Sequence, residues 1–374
     1  MQTLDRMLDI LVVGGGQAGL ALGYHLQQTP YHFQIVERNS RIGESWRKRY
    51  DSLVLFTPRA LSALPGMPVP GDPQGYATKD EIADYLETYA DHFELPVVTG
   101  TPIQSLERHQ DGYRATTHSG ASIDARAVVL ASGAFQTPTI PQLASGLSAD
   151  VGQYTADTYT NPASVPAGTI LVVGDGPSGR DIAAELQGSN TVILASGRPR
   201  RLLPERILGK STWWWLDKLG FMHVSGDTPV GRYLKRVDAF LNKGNTLHDL
   251  ERRGVRVVPR LASVEGTHVT FAGGASSEVG AVIWATGYHD RSDWVAIPEV
   301  KDARGTFVHD QGIAPIPRFY FIGRPWQRSR GSALLMGVGD DAALIKDRII
   351  EDLGARERPI CGAQSVTPLR TLET

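Results

Sequence analysis

The sequence predicts an α/β protein made of two doubly wound, parallel-sheet units, the second inserted into the first. Three observations carry that prediction. The stretch LVVGGGQAG at Leu11 to Gly19 returns as LVVGDGPSG at Leu171 to Gly179. Each copy sits between a short apolar strand and a helix that leads to a second strand, the order of a β-α-β unit. Finally, 374 residues exceed the roughly 250–300 beyond which one hydrophobic core stops growing. The copies lie 160 residues apart, far beyond a solenoid period of about 20–50 residues. They read as two separate sites.

Taken in order, DILVVGGGQAGLALGYHLQQ gives strand, glycine turn and helix, and HFQIVE gives the next strand. ATKDEIADYLETYADHF carries Ile82, Leu86, Tyr89 and Phe93 at helical spacing. RAVVLASGAFQTPTIP is a buried strand broken by glycine and proline, and the stretch Thr137 to Pro166, rich in Pro, Ser, Ala and Gly, is expected to hold the first crossing between units. TILVVGDGPSGRDIAAELQ and NTVILAS repeat the β-α-β order, GAVIWATGYHD closes the second unit, and the return crossing falls near Gly287. FYFIG and GVGDDAALIKDRIIEDL then finish the first unit as a strand and a helix. GARERPICGAQSVTPLRTLET reads as a weakly ordered tail.

Composition narrows the function classes. Hydrophobic residues at 41% and charged residues at 21% are those of an ordinary globular chain. A formal net charge of −2 gives no overall footprint for nucleic acid or an anionic membrane. No apolar run approaches the roughly 20 residues of a membrane span. The start MQTLDRMLD lacks the basic segment and cleavage site of a secretory signal, so a cytoplasmic location is expected. One cysteine, Cys361, excludes an intrachain disulfide, a CxxC redox pair and a cysteine-based zinc site. No metal is expected.

The glycine turns indicate the ligands. In GxGxxG the first glycine permits the tight turn, the second lets a pyrophosphate approach the backbone, and the third lets helix and strand pack closely. These positions are Gly14, Gly16 and Gly19 in the first copy and Gly174, Gly176 and Gly179 in the second. The helix N-terminus adds unpaired N–H groups for the phosphates, which brings in Gln17 and Ala18, and Ser178 in the second copy. Glu37 ends the first unit's second strand 18 residues after Gly19, where a carboxylate takes the hydroxyls of a ribose, with Arg38 beside it. The matching strand of the second unit runs instead into ASGRPRR, with Arg198 and Arg200 but no acid. That loop reads either as a 2′-phosphate site, hence NADP, or as a solvated basic loop.

With these residues assembled, the chain resembles the group B flavin-dependent monooxygenases: flavin-containing monooxygenases, plant YUCCA enzymes and small bacterial CzcO-type relatives. The resemblance runs from about Asp9 to Leu353. IGESWRKRYDSLVLFTP is similar to a segment that sets a tryptophan, here Trp46, near the flavin. YATKDEIADYLETYA is similar to the family's YPTK segment and helix. LASGAF (Ala131, Ser132, Gly133) and WATGY (Thr286, Gly287) match its two linker motifs, and FIGRPWQRSRGSALLMGVGDDAA, with Gly323 and Gly337, is similar to its flavin-facing C-terminal segment. The resemblance implies FAD at the first turn and NADPH, or NADH, at the second, and two Rossmann-like domains. The FAD-binding domain is expected at 1–161 and 288–374, and the NAD(P)-binding domain at 162–287.

The resemblance also implies a chemistry: oxygenation of a small nucleophile, sulfur or nitrogen, by O2 through a C4a-hydroperoxyflavin. No acid or base from a side chain is required for it. The family fingerprint FxGxxxHxxx(Y/F) is largely lost, with Ala149, Val151 and Thr155 standing where Phe, Gly and His are expected, and Tyr159 last. Phe56 stands where larger members place an asparagine, and Ala195 where an arginine often follows the strand. Phe56 and Thr155 are therefore the catalytic candidates, and partial uncoupling is expected. An NAD(P)H oxidase or diaphorase, and a flavin-binding redox sensor, are the rival readings. A homodimer is compatible with all of them. Trp213 to Trp215 read as a cap over the NADP domain or as the lining of a substrate entrance. His289, Asp290 and Arg291 read as a polar interdomain turn or a hydride site, and Asp340 and Asp341 as first-turn helix acids.

Overall fold

The structure is a computed structural model that describes residues 7–197, 200, 202–237 and 240–354. Arg198, Arg201 and Cys361 lie outside the described residues.

Two sheets organise the chain, the second all parallel and the first mixed, with the strand Gly112–Thr117 antiparallel to both of its neighbours where the sequence predicts a parallel sheet. The first grows from β1 (Leu8–Val13), whose five inner residues are all buried. After the glycine turn comes α1 (Gln17–Leu26), and β2 (Phe33–Val36) then pairs with β1 in parallel. α1 is built from small residues and packs closely: a Cβ on Gly23 would meet the Ile35 Cδ1 at 2.8 Å. A short helix, α2 (Glu44–Arg47), precedes the hairpin of β3 (Val54–Pro58) and β4 (Tyr76–Thr78).

Next is α3 (Lys79–His92), opened by a capping box in which the Thr78 hydroxyl accepts from the Glu81 N–H and the Glu81 carboxylate accepts from the Thr78 N–H. Its Ile82, Leu86 and Tyr89 are fully buried, as their spacing predicts. β5 (Val97–Val98), β6 (Ile103–His109), β7 (Gly112–Thr117) and β8 (Ser122–Leu130) complete the order β5-β2-β1-β8-β7-β6. β8 is long enough to serve two neighbours besides β1: its start pairs with β7, and its end pairs in parallel with Phe319–Phe321.

The crossing out and the crossing back run side by side. β9 (Thr137–Pro138) pairs with Tyr288–His289 as an antiparallel ribbon. Beyond it, β10 (Gly152–Thr155) already belongs to the second sheet, where it pairs with Ala281–Trp284. The second sheet thus recruits a strand ahead of the expected boundary at residue 162, because β10 completes its edge. The sheet continues through β11 (Thr169–Val173), β12 (Thr191–Ala195) and Arg256–Val258, every pair parallel.

α4 (Pro177–Leu186) follows the second glycine turn. The excursion after β12 carries α5 (Thr212–Lys218) and α6 (Pro229–Val237), and α7 (Leu247–Arg252) leads back to the sheet. Ile182, Ala183, Leu186 and Leu250 of α4 and α7 cover one face of this sheet, and the antiparallel meander 261–278 covers the other. The long α8 (Leu335–Leu353) returns to pack beside α1 in the first unit.

Candidate dinucleotide sites

The first turn has the geometry its glycines predict. The Gly14 N–H donates to the Val36 carbonyl at 2.8 Å, and the Ala131 N–H to the Val13 carbonyl at 2.9 Å, so three strand ends meet at one point. Gly14 has φ +119°, and a Cβ there would stand 2.5 Å from the Ala131 carbonyl oxygen. A Cβ on Gly19 would overlap the Gly14 carbonyl oxygen. A Cβ on Gly16, the N-cap of α1, would meet nothing within 4 Å. The first and third glycines are thus required by packing. The second faces open space at a helix N-terminus, a cradle a pyrophosphate fits.

Other predicted residues gather around this turn. The Glu37 carboxylate accepts from the Gly15 N–H at 2.8 Å and from the Asn39 backbone and side chain at 2.9 and 2.7 Å. The Trp46 indole N–H donates to the Gln17 side chain at 3.3 Å. Gly323, at φ +80°, passes so near Ala18 that a Cβ would stand 2.8 Å from the alanine's. Ser132 and the Gly133 carbonyl both accept from the Gln136 amide. Arg38 is exposed beside Glu37.

The second turn repeats the backbone arrangement. The Gly174 N–H donates to the Ala195 carbonyl at 3.0 Å and the Ala285 N–H to the Val173 carbonyl at 2.9 Å. A Cβ on Gly174 would collide with the Ala285 carbonyl, one on Gly179 would overlap the Gly174 carbonyl, and one on Gly176 would meet nothing within 4 Å. Thr286 and Gly287 take the places of Ser132 and Gly133 in the linker, the Gly287 carbonyl accepting from the Thr139 N–H at 2.8 Å. Ser178 stands in the first turn of α4.

These paired turns agree with the known relatives. Residues 11–201 match the family model of pyridine nucleotide-disulphide oxidoreductases. The chain is 44% identical to an uncharacterized CzcO-like oxidoreductase of Geobacillus kaustophilus, over 93% of this chain and 99% of that one. The chain belongs to this family. A probable indole-3-pyruvate monooxygenase, YUCCA9 of Arabidopsis thaliana, is 28% identical over 79% of this chain and 78% of its own. The flavin-containing monooxygenase from Stenotrophomonas maltophilia superposes with a TM-score of 0.77 at 25% identity, over 92% and 98% of the two chains. This member of the family is a flavin-dependent oxidoreductase. With one cysteine in the whole sequence it lacks the dithiol pair of a disulphide reductase.

Several predicted residues have partners that their spacing did not show. Arg200 was expected to be free for a 2′-phosphate, yet its Nε lies 3.7 Å from the Asp175 carboxylate, which also holds Arg180 at 3.1 Å. Asp175 is the middle residue of the GDG turn and is 3% exposed, so the basic loop is tied to the turn by a buried acid. Arg180 is spread over three acceptors, the Asp175 carbonyl and carboxylate and the Asn245 carbonyl.

Gly337 lies within the first turn of α8, which begins before it. A Cβ there would stand 2.5 Å from the Gly331 backbone, so packing alone demands glycine. Asp341 is no first-turn acid: it is 1% exposed in the second turn, bonded to Arg328 at 3.2 Å, with one carboxylate oxygen unpartnered. Burial pushes its carboxyl up. Asp290 pairs with the buried Arg324 and His289 stays in the linker ribbon, which fits the polar-turn reading.

Phe56 and Thr155 serve different cores. The Thr155 hydroxyl accepts from the Asp157 N–H at 3.3 Å and is 3.4 Å from the Thr158 hydroxyl, in a residue 8% exposed. Phe56 packs against Trp213, ring centroids 5.6 Å apart, in a cluster that includes Met222, Leu334 and Met336. Trp213 therefore links the β3–β4 hairpin of the first unit to Leu203 and Leu241 of the excursion that follows β12.

Between the units lies a half-buried polar seam that spacing did not reveal. The Tyr50 hydroxyl is 3.4 Å from the Asp181 carboxylate in α4, and Asn245 donates to the same carboxylate at 2.8 Å. The Lys243 ammonium donates to the Val54 and Leu55 carbonyls of β3 at 2.8 and 2.9 Å. Burial pushes the Asp181 carboxyl up and the Lys243 ammonium down. Tyr50, Asp181 and Lys243 are far apart in the sequence, and no local pattern joins them.

Proposed function

We propose that the chain binds FAD at the first glycine turn and NADPH at the second, and that it oxygenates a small soft nucleophile, sulfur or nitrogen, with partial loss of reducing equivalents as hydrogen peroxide. The observation that carries this reading is the pair of superimposable turns, each closed by packing at its first and third glycine and open at its second. Gly14, Gly16, Gln17, Ala18, Gly19, Glu37, Ser132 and Gly323 would hold FAD. Gly174, Gly176, Ser178, Gly179, Thr286 and Gly287 would hold the nicotinamide dinucleotide. Bound FAD supplies hydride acceptance and oxygen activation; the protein orients the two nucleotides and excludes water.

One observation favours the oxidase as a second reading. Thr155 is 8% exposed with its hydroxyl engaged by Asp157 of its own turn, and Phe56 carries no hydrogen-bond donor, so these two positions offer little support to an oxygen adduct.

The deciding experiment follows NADPH consumption, peroxide and product under labelled oxygen across a panel of sulfides and amines. Label in a product supports oxygenation. Stoichiometric peroxide with every compound supports the oxidase. No NADPH oxidation at all removes both readings.

A further inference from the structure

The excursion between β12 and α7 carries a feature that dinucleotide chemistry does not use. Twelve large hydrophobic side chains are exposed among the described residues, and six of them fall between 207 and 233: Ile207, Leu208, Leu219, Phe221, Val230 and Tyr233. Scattered exposed apolar residues are ordinary; a cluster marks an interaction surface.

Ile207, Leu208 and Leu219 belong to one knob. Arg206–Ile207 and Lys210–Ser211 form a tight hairpin with Leu208 at its tip, 88% exposed and held at φ +49°. Leucine rarely adopts that left-handed conformation, so the backbone is strained where the side chain is presented outward. The hairpin is braced by α5, where the Trp215 indole N–H donates to the Ile207 carbonyl at 2.9 Å. Trp214 stands edge-on to Trp215 at 4.8 Å, with the Lys210 ammonium 5.7 Å from the Trp214 ring. Leu219, one helical turn beyond Trp215, is 65% exposed.

Charge selects the partner. Residues 202–237 hold six Lys or Arg and three Asp or Glu, in a chain whose net charge is −2. The overall balance gave no sign of an anionic partner, but the excursion is locally basic. A second copy meeting this knob across a two-fold axis would set like charges against each other. An apolar tip, a tryptophan pair behind it and the cations Arg206, Lys210 and Lys218 on the same hairpin and helix match the depth profile of a bilayer interface: acyl chains, headgroup level, phosphates. No helix among the described residues is long and apolar enough to cross a membrane, so such contact is peripheral.

We infer that the hairpin and α5 dock this protein on an anionic lipid bilayer. The test is co-sedimentation of the flavin-loaded protein with phosphatidylcholine vesicles, with and without about 30 mol % phosphatidylglycerol. Binding is expected to be about tenfold stronger on the anionic vesicles and to fall with salt. The double variant Leu208→Glu with Leu219→Glu is expected to lose about tenfold or more of that binding while keeping its flavin spectrum and melting temperature. Absence of binding to either vesicle overturns the inference, as does binding that the double variant leaves unchanged. Light scattering that shows a dimer abolished by the same substitutions would assign the knob to a second copy and overturn it as well.

Discussion

The two glycine turns share one backbone and differ in where the carboxylate sits. In the first, residue 15 is glycine, and the acid comes from the strand end, where Glu37 accepts from the Gly15 N–H. In the second, Ser196 holds the strand-end place, its N–H bonded to Val258 as that of Glu37 is bonded to Val98. The acid has moved into the turn as Asp175, buried and held by Arg180 and Arg200. Under the proposed function, the shared backbone would admit a dinucleotide in both turns, and the position of one carboxylate would set which ribose each favours. An acid at the strand end would face the ribose, whereas the acid inside the second turn faces its own arginines.

The largest expected effect separates the two sites outright. Gly16→Glu fills the open space above α1, and the purified protein should be colourless, read as 450 nm absorbance per chain. Gly176→Glu should stay yellow with a normal flavin content but show no reduction by NADPH. If either substitution removes both properties, the sites are not independent and the comparison fails.

Next is the buried pair. Arg180→Ala strands Asp175 without its nearest guanidinium, and removal of one partner of a buried ion pair costs about 3–5 kcal/mol. The expected outcome is a lower melting temperature with reduction by NADPH lost. No equivalent loss can be produced in the first turn, because Gly15 carries no charge to strand.

Exchange of the carboxylates sharpens the comparison further. Glu37→Gln should weaken FAD binding by about 10-fold to 150-fold, the range for loss of a charge-assisted hydrogen bond. Ser196→Glu gives the second site the first site's acid, and the KM for NADPH should rise by about tenfold or more while that for NADH falls. An unchanged NADPH/NADH ratio in Ser196→Glu would show that the strand-end position does not read the ribose.

The parts of this site legible in the sequence are those that depend on near neighbours. The six glycines, Glu37 and the apolar face of α3 work over spans of a few to about twenty residues, and Ile82, Leu86 and Tyr89 are buried as their spacing predicts. What escaped depends on contacts across the fold. Trp213 turns toward Phe56 and Asp341 is buried against Arg328, while Thr155 is the local exception, its hydroxyl engaged by Asp157 in the turn that ends β10. Gly337 was read for its motif, yet its glycine is explained by the nearby Gly331 backbone. Periodicity reports which face is apolar. It does not report which distant element covers that face.

The smallest expected effect belongs to Arg200, and the structure makes it smaller than the basic loop alone implies. A guanidinium free in solvent and aimed at a 2′-phosphate would contribute a full charge-assisted bond. Here the Arg200 Nε stands 3.7 Å from a carboxylate already bonded to Arg180, so part of its charge is balanced before any nucleotide arrives. Its side chain is 20% exposed, which limits how far it can reach without leaving Asp175. Arg200→Ala should therefore raise the KM for NADPH by only about threefold to tenfold, corresponding to about 0.7–1.4 kcal/mol, and leave the KM for NADH unchanged. A loss of about 100-fold confined to NADPH would show that Arg200 leaves Asp175 to clasp the phosphate. Equal losses with both nucleotides would assign it to the integrity of the turn, and the second site would then resemble the first more closely than its charges indicate.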